Sequence, residues 1–284
     1  MIPTAFEYER ATSVEDAVAK LRAADDGGKL IAGGHSLVPL MKLRLSEPRR
    51  LIDIARIPEL RGIRDTGGRI EIGAATTHHE VATSPVLRQQ CPMLADAAAT
   101  IGDQQVRNRG TIGGSLAHAD PSADYPAAML ALDAEFQLAG PNGPRVVKAQ
   151  DFFLDLFTVD LAADEMIASV RVTPIRTAAY AKLYQRASHY AIVGLAAALQ
   201  MSGGMIASAR IGLTGACASA RRLTNVEQAL AGSQASEQTL AAAARLAAHD
   251  LEHVNADVHA SADYRRAMVA VFARRALVGA VARA

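Results

Sequence analysis

The sequence predicts an α+β protein in two unequal units, divided at about residue 175. Two observations carry that expectation. Up to Val172, short strand-like and helical segments interleave, and two glycine doublets, Gly33-Gly34 and Gly113-Gly114, are each followed by a small hydroxyl residue, Ser36 or Ser115. Beyond Pro174 the pattern becomes one long hairpin followed by alanine-rich helical stretches, a smaller C-terminal unit of sheet plus helices.

In chain order, Val14, Ala17, Val18 and Leu21 recur at helical spacing behind Ser13 and Asp16, an N-terminal capping pair. Lys29 to Ala32 reads as a strand running into the first glycine doublet, and Leu37 to Leu45 as a helix that tolerates Pro39 in its first turn. RLIDI (Arg50 to Ile54) and RIEIG (Arg69 to Gly73) read as strands. His78 and His79 open a helix after Thr76 and Thr77; as neighbours on a helix they point apart, which disfavours a shared metal. Pro92 to Ile101 and Pro126 to Leu132 read as helices, and PNGP closes a hairpin between Glu135 to Leu138 and Arg145 to Val147. Met166 to Val172 and Tyr180 to Gln185 are expected to pair on either side of Pro174. Ala191 to Gln200 and Met205 to Thr214 form a hairpin over Ser202 to Gly204, and helices follow at about Thr224 to Ala231, Ser236 to Asp250 and Ser261 to Ala282.

Composition excludes several function classes. Half of the 284 residues are hydrophobic, enough for a sizeable core. The balance of 30 Lys plus Arg against 29 Asp plus Glu disfavours a general nucleic-acid binder, and the absence of Trp with 4% aromatics leaves few stacking platforms for bases. Cys91 and Cys217 are the only cysteines, so an iron–sulfur centre or Cys-rich zinc site has to lie on another chain. MIPTAFEYER lacks the basic and apolar regions of a secretory signal, and the run Ala191 to Leu199 is too short to cross a bilayer. The expectation is a soluble cytoplasmic protein.

The two glycine turns are the chemical signal. A glycine doublet lets the backbone approach a ligand and adopt positive φ, and successive N–H groups in such a turn make a concave anion site. Two of them suit a diphosphate without a lysine. GxGxxG, the phosphate-loop GxxxxGK[ST], GxSxG and HExxH are all missing, so the dinucleotide fold implied is not the Rossmann one.

AGGHSLVPLMKLRL (Ala32 to Leu45) and QVRNRGTIGGSLAHADPSADYPA (Gln105 to Ala127) resemble the two FAD-binding signatures of the medium, flavoprotein subunit of molybdenum hydroxylases, the family of aerobic carbon monoxide dehydrogenase medium subunits and of the xanthine dehydrogenase flavin domain. LIDI, CPML and SADYRRAM extend the resemblance over nearly the whole chain. It implies a two-part FAD-binding domain of the vanillyl-alcohol-oxidase (PCMH) type over residues 1–175, with subdomains of about 1–55 and 56–175, and a C-terminal medium-subunit domain over 176–284. It also implies noncovalent FAD, wrapped at its diphosphate by Ala32, Gly33, Gly34, His35, Ser36 and Leu37 and by Thr111, Ile112, Gly113, Gly114 and Ser115. Asp124 matches an acidic residue near the nucleotide ribose, Ile101 and Ile167 match apolar positions lining the adenine, and Lys182 matches a basic residue near the flavin. Tyr190 corresponds to a tyrosine covering one face of the isoalloxazine, although Ser188 and His189 stand where relatives often carry Gly and Asp. Some flavoproteins with a GGH turn attach FAD through that histidine; the medium-subunit family does not. Asp120 and Asp124 are expected to shape a turn and reach the ribose rather than act as paired catalytic carboxylates.

The function implied is electron transfer. A large subunit with a molybdenum cofactor oxidises substrate, a small subunit with 2Fe-2S clusters relays electrons, and FAD on this chain passes them to an external acceptor, in an assembly expected to be a dimer of heterotrimers. The substrate (carbon monoxide, a purine, an N-heterocycle or an aldehyde) is then chosen elsewhere. The competing readings are a stand-alone flavin oxidase or dehydrogenase with its own substrate site, and a non-enzymatic FAD-storage or assembly protein.

Overall fold

The structure, a computed structural model, describes residues 2–284 and contains three main sheets. The first is parallel, with Arg50–Asp53 between Glu7–Arg10 and Gly28–Ile31. Helix Val14–Ala23 buries Ala17, Val18 and Leu21 against Ile52, Ile57 and Leu60. Ser13 Oγ accepts the Asp16 amide at 3.1 Å, as the spacing predicts, but the Asp16 carboxylate accepts from the Thr12 amide at 2.9 Å and not from Ser13. The capping box is therefore half made.

The second sheet is antiparallel throughout, in the order Ile63–Asp65, Ile70–Gly73, Met166–Val172, Glu135–Gly140, Gly143–Lys148. The third runs Ala178–Tyr184, Ala191–Ser202, Met205–Thr214, Arg221–Arg222, its long hairpin turning on Gly203 and Gly204 at φ +56° and +79°. Met166–Val172 and Ala178–Tyr184 do not pair, contrary to the sequence expectation; they belong to different sheets. Pro174 brings no N–H to a ladder between them, and each strand finds a partner elsewhere. The stretch expected as one helix from Ser236 to Asp250 is α-helical over Glu237–Arg245 and tightens to a 3₁₀ turn at Leu246–Asp250.

Strand Ala191–Ser202 joins two cores. Its small residues, Ala196 and Ala198, face the core shared with Tyr125, Met129 and Phe136. The alternate positions Val193, Leu195 and Leu199 face Val269, Phe272 and Leu277 of the last helix, Ala262–Val281. This follows from the two-residue period of a strand buried on both faces. Small side chains on one face let helix Tyr125–Ala131 approach closely: a Cβ on Gly212 would stand 2.8 Å from the carbonyl carbon of Ala127 and nearer still to its oxygen. That contact sets the third sheet against the segment that carries Asp124. No helix among the described residues is long and apolar enough to cross a membrane.

Replacing Gly212 with Val should cost about 2–3 kcal/mol of stability, the upper range for overpacking, because backbone and not a flexible side chain must yield. Chemical unfolding of the variant beside Gly212→Ala and the wild type measures it.

Candidate functional site: a dinucleotide cavity

A cavity of about 810 Å³ opens between the parallel sheet, the antiparallel sheet and the rim of the third. Small-molecule sites commonly span ~300–1,000 Å³. At its waist the two glycine turns, distant in sequence, abut. A Cβ on Gly33 would stand 2.7 Å from Gly110 Cα and nearer still to Arg109 O, so no larger residue fits without parting the turns. Gly34 follows at φ +73°, a conformation that favours glycine.

The turns differ in what their amides do. The N–H groups of Gly33, Gly34, His35, Ser36 and Leu37 have no hydrogen-bond acceptor among the described residues, and all five residues line the cavity. In the second turn the amides of Ile112, Gly113 and Ser115 donate to Thr76 O, Ala74 O and Thr111 O at 3.0, 2.9 and 3.0 Å, and the Gly114 amide donates to Thr111 Oγ1 at 3.2 Å. Thr111 is the N-cap of helix Ile112–His118 and satisfies its first turn from within. The first turn thus keeps its amides free of protein acceptors, while Ile112 to Ser115 of the second spend theirs within the protein.

Of the sequence-predicted residues, Ala32, Gly33, Gly34, His35, Ser36, Leu37, Ile101, Thr111, Gly113, Gly114, Ser115, Asp124, Ile167 and Tyr190 all line this one cavity. Ile112 and Lys182 do not. Ile112 is fully buried, its side chain turned into the hydrophobic core behind the turn, because the cap at Thr111 directs it inward. Lys182 stands behind the wall, where Nζ donates to Thr100 O at 3.0 Å and lies 2.9 Å from the Asp124 carboxylate, with a side chain only 3% exposed. Its ammonium is spent on Asp124 and not presented to a ligand.

Asp124 sits at the head of helix Tyr125–Ala131, buried, accepting Tyr180 Oη–H at 2.6 Å as well as Lys182. Burial pushes its carboxyl above the usual range, while the Lys182 ammonium and the Tyr180 hydroxyl oppose that shift. Both partners belong to strand Ala178–Tyr184, so the third sheet supplies the groups that compensate a charge in the cavity wall.

The rim is clasped by short polar contacts. Arg107 donates to Ile101 O and Gly102 O at 2.9 Å each, and Gly102, at φ +48°, receives His189 Nδ1 at 3.1 Å. His189 itself lies at φ +61°, a region histidine enters more readily than most residues. The Gln185 side chain accepts the Ala187 and Ser188 amides at 2.7 and 2.6 Å. These contacts shape the Ser188–His189–Tyr190 turn, which places Tyr190 at the cavity, 46% exposed. On the opposite wall Arg145 grips Glu165 at 2.7 Å and Asp160 at 2.9 Å, fixing the stretch that carries Leu161 and Ala162.

Sequence reading missed His78 as a cavity residue. It is buried, opens helix His78–Thr83, and its Nδ1 lies 3.1 Å from Tyr125 Oη. Burial, reinforced by the nearby charges of His35 and Arg107, pushes its pKa down from 6.5 to about 4. The readable signal was the run T-H-H-E: Thr77 and Glu80 close a full capping box, which fixes where His78 enters the helix. Among the described residues no group of three or more His, Cys, Asp or Glu is placed to hold a metal ion.

Known proteins share this architecture. The family described as the FAD binding domain in molybdopterin dehydrogenase matches residues 4–174, and the CO dehydrogenase flavoprotein C-terminal domain matches residues 178–280. The chain therefore belongs to the FAD-binding medium subunits of the molybdenum hydroxylases. It is 42% identical to the carbon monoxide dehydrogenase medium chain of Hydrogenophaga pseudoflava, over 100% of this chain and 99% of that one. It is 35% identical to the nicotine 6-hydroxylase medium subunit of Paenarthrobacter nicotinovorans, over 98% of each. The solved carbon monoxide dehydrogenase of Hydrogenophaga pseudoflava superposes with a TM-score of 0.95 at 44% identity, covering 100% of this chain and 99% of that one, and quinoline 2-oxidoreductase of Pseudomonas putida 86 with 0.92 at 35%, covering 99% of each.

Two measurements test this electrostatic reading. Lys182→Met removes the compensating charge beside a buried carboxylate and should cost about 3–5 kcal/mol in chemical unfolding, with Asp124→Asn in the same chain recovering most of it. His78 is neutral when folded but takes a proton when unfolded below pH 6.5. Stability should therefore fall as pH drops from about 6.5 to about 4, by on the order of 3 kcal/mol, and His78→Leu should lose that part of the slope.

Proposed function

We propose that FAD lies noncovalently in this cavity with its diphosphate on the Gly33 to Leu37 amides. The unit up to about residue 175 carries the cofactor, and the C-terminal unit closes its rim. The observation that carries the proposal is the run of amides without acceptors, seated where a Cβ at Gly33 would collide with the second turn. Each charge-assisted bond from such an amide contributes about 1.5–3 kcal/mol, so a few suffice to retain a dianionic bridge without a lysine. Gly114 and Ser115 present the outer edge of the second turn, and Asp124 offers carboxylate lone pairs to a ribose. Ile101 and Ile167 supply apolar wall, and Tyr190 narrows access of water at the rim.

FAD when bound supplies the exchange between one-electron and two-electron carriers. The chain's own residues position it and leave a path to its partners. In the proposed assembly a small subunit with 2Fe-2S clusters delivers electrons here, a large subunit with the molybdenum cofactor oxidises the substrate, and an external acceptor takes the electrons away, as a dimer of heterotrimers in the cytoplasm. Relatives named for carbon monoxide, nicotine and caffeine match this chain over nearly its full length, which supports placing substrate choice on a partner subunit rather than here.

Gly33→Ala, purified within its complex, should retain less than about a tenth of the wild-type flavin, as expected from losing at least one such bond, while molybdenum content stays at the wild-type level. Acid precipitation of the wild type should leave the yellow flavin in the supernatant. Full flavin occupancy in the variant, or a yellow pellet, would overturn the respective claim.

A further inference from the structure

We infer that His78 is a ligand-binding residue in which Nε2–H, kept protonated by Tyr125, donates a hydrogen bond to the diphosphate at the junction of the two glycine turns. The inference rests on the reading that the cavity holds FAD, and deepens it.

The argument is a balance of donors and acceptors. Tyr125 is fully buried, and its hydroxyl has one hydrogen-bonding neighbour among the described residues, His78 Nδ1 at 3.1 Å. A buried phenol that fails to donate loses the full cost of its desolvation, so Tyr125 Oη–H donates to Nδ1. A neutral imidazole that accepts at Nδ1 carries its proton at Nε2. Burial holds the ring in this neutral form. Nε2–H is thus a donor of known position, and no group among the described residues accepts it.

It is also not sealed away. Gln137 Nε2, Arg221 Nε and Arg265 Nε are the side-chain polar atoms buried without a partner among the described residues. His78 Nε2 lacks a partner too but does not belong to that set, and His78 lines the cavity. The unpaired donor of a residue 95% buried opens there, since His78 is 5% exposed. Its place is specific. A Cβ on Gly110 would stand 2.6 Å from His78 Nε2, and a Cβ on Gly33 would stand 2.7 Å from Gly110 Cα, so the imidazole edge, Gly110 and Gly33 form one stack at the waist of the cavity. The His78 amide donates to Gly110 O at 2.9 Å and fixes the backbone from which the ring projects. A neutral donor there adds to the open amides of the first turn without the cost of burying a cation.

The experiment titrates FAD and ADP into the deflavinated complex carrying wild-type chain, His78→Leu, His78→Gln or Tyr125→Phe, with thermal melting as a check on folding. Loss of a hydrogen bond to a charged acceptor should weaken both ligands about 10- to 100-fold in His78→Leu. His78→Gln, which keeps an amide donor at similar reach, should recover most of the affinity. Tyr125→Phe, acting only through the proton position of the ring, should lose a few-fold. Equal affinity of His78→Leu and wild type for FAD would overturn the role of His78. Loss toward FAD but not ADP would overturn the diphosphate as acceptor. No better recovery by Gln than by Leu at equal melting temperature would reduce the residue to packing and overturn the donor. Wild-type complex that fails to take up FAD would sink the underlying FAD reading instead, a result distinct from all three.

Discussion

Close approach of Gly33 to the Arg109-Gly110 backbone is the constraint on which the rest of the site depends. It brings a turn from the parallel sheet against a turn ahead of helix Ile112–His118, and both line the cavity. Because the second turn spends its amides on Ala74, Thr76 and Thr111, it is rigid, and the first turn can leave its own amides open against a fixed wall. Preorganised donors of this kind cost little to use when a ligand arrives.

The third sheet contributes charge compensation as well as area. Tyr180 and Lys182 reach from strand Ala178–Tyr184 to Asp124, and Gly212 lets helix Tyr125–Ala131 sit close enough for that reach. Removing the sheet would leave a buried carboxylate unpaired, which is more costly than losing apolar contact alone. Thr214 Oγ1 donates to the carbonyls of Pro121 and Ala123 at 3.0 and 2.7 Å, and the Gly215 amide donates to Pro121 O at 2.7 Å, holding the same wall from a second strand.

Much of this is legible in the sequence where local chemistry decides the outcome. PNGP and the Gly203-Gly204 turn specify their hairpins, Ser13 and Ser261 cap the helices they precede, and the two glycine doublets mark the cavity. What is not legible depends on partners far away in the chain. The strand Ile63–Asp65 is too short to show a period, and the pairing of Met166–Val172 is decided by strands near residues 70 and 136. Lys182 reads as a basic residue available to a ligand, and only its burial against Asp124 shows that it is not. His78 reads as a weak metal candidate because its partner, Tyr125, lies 47 residues away.

Strand Ala191–Ser202, with small side chains toward one core and large ones toward the other, ties those two cores together. Fraying of the last helix would expose Val193 and Leu195, loosen the strand, and through it the groups that steady Asp124. Packing of the last helix and the charge balance at Asp124 are thereby linked through one strand and its neighbour.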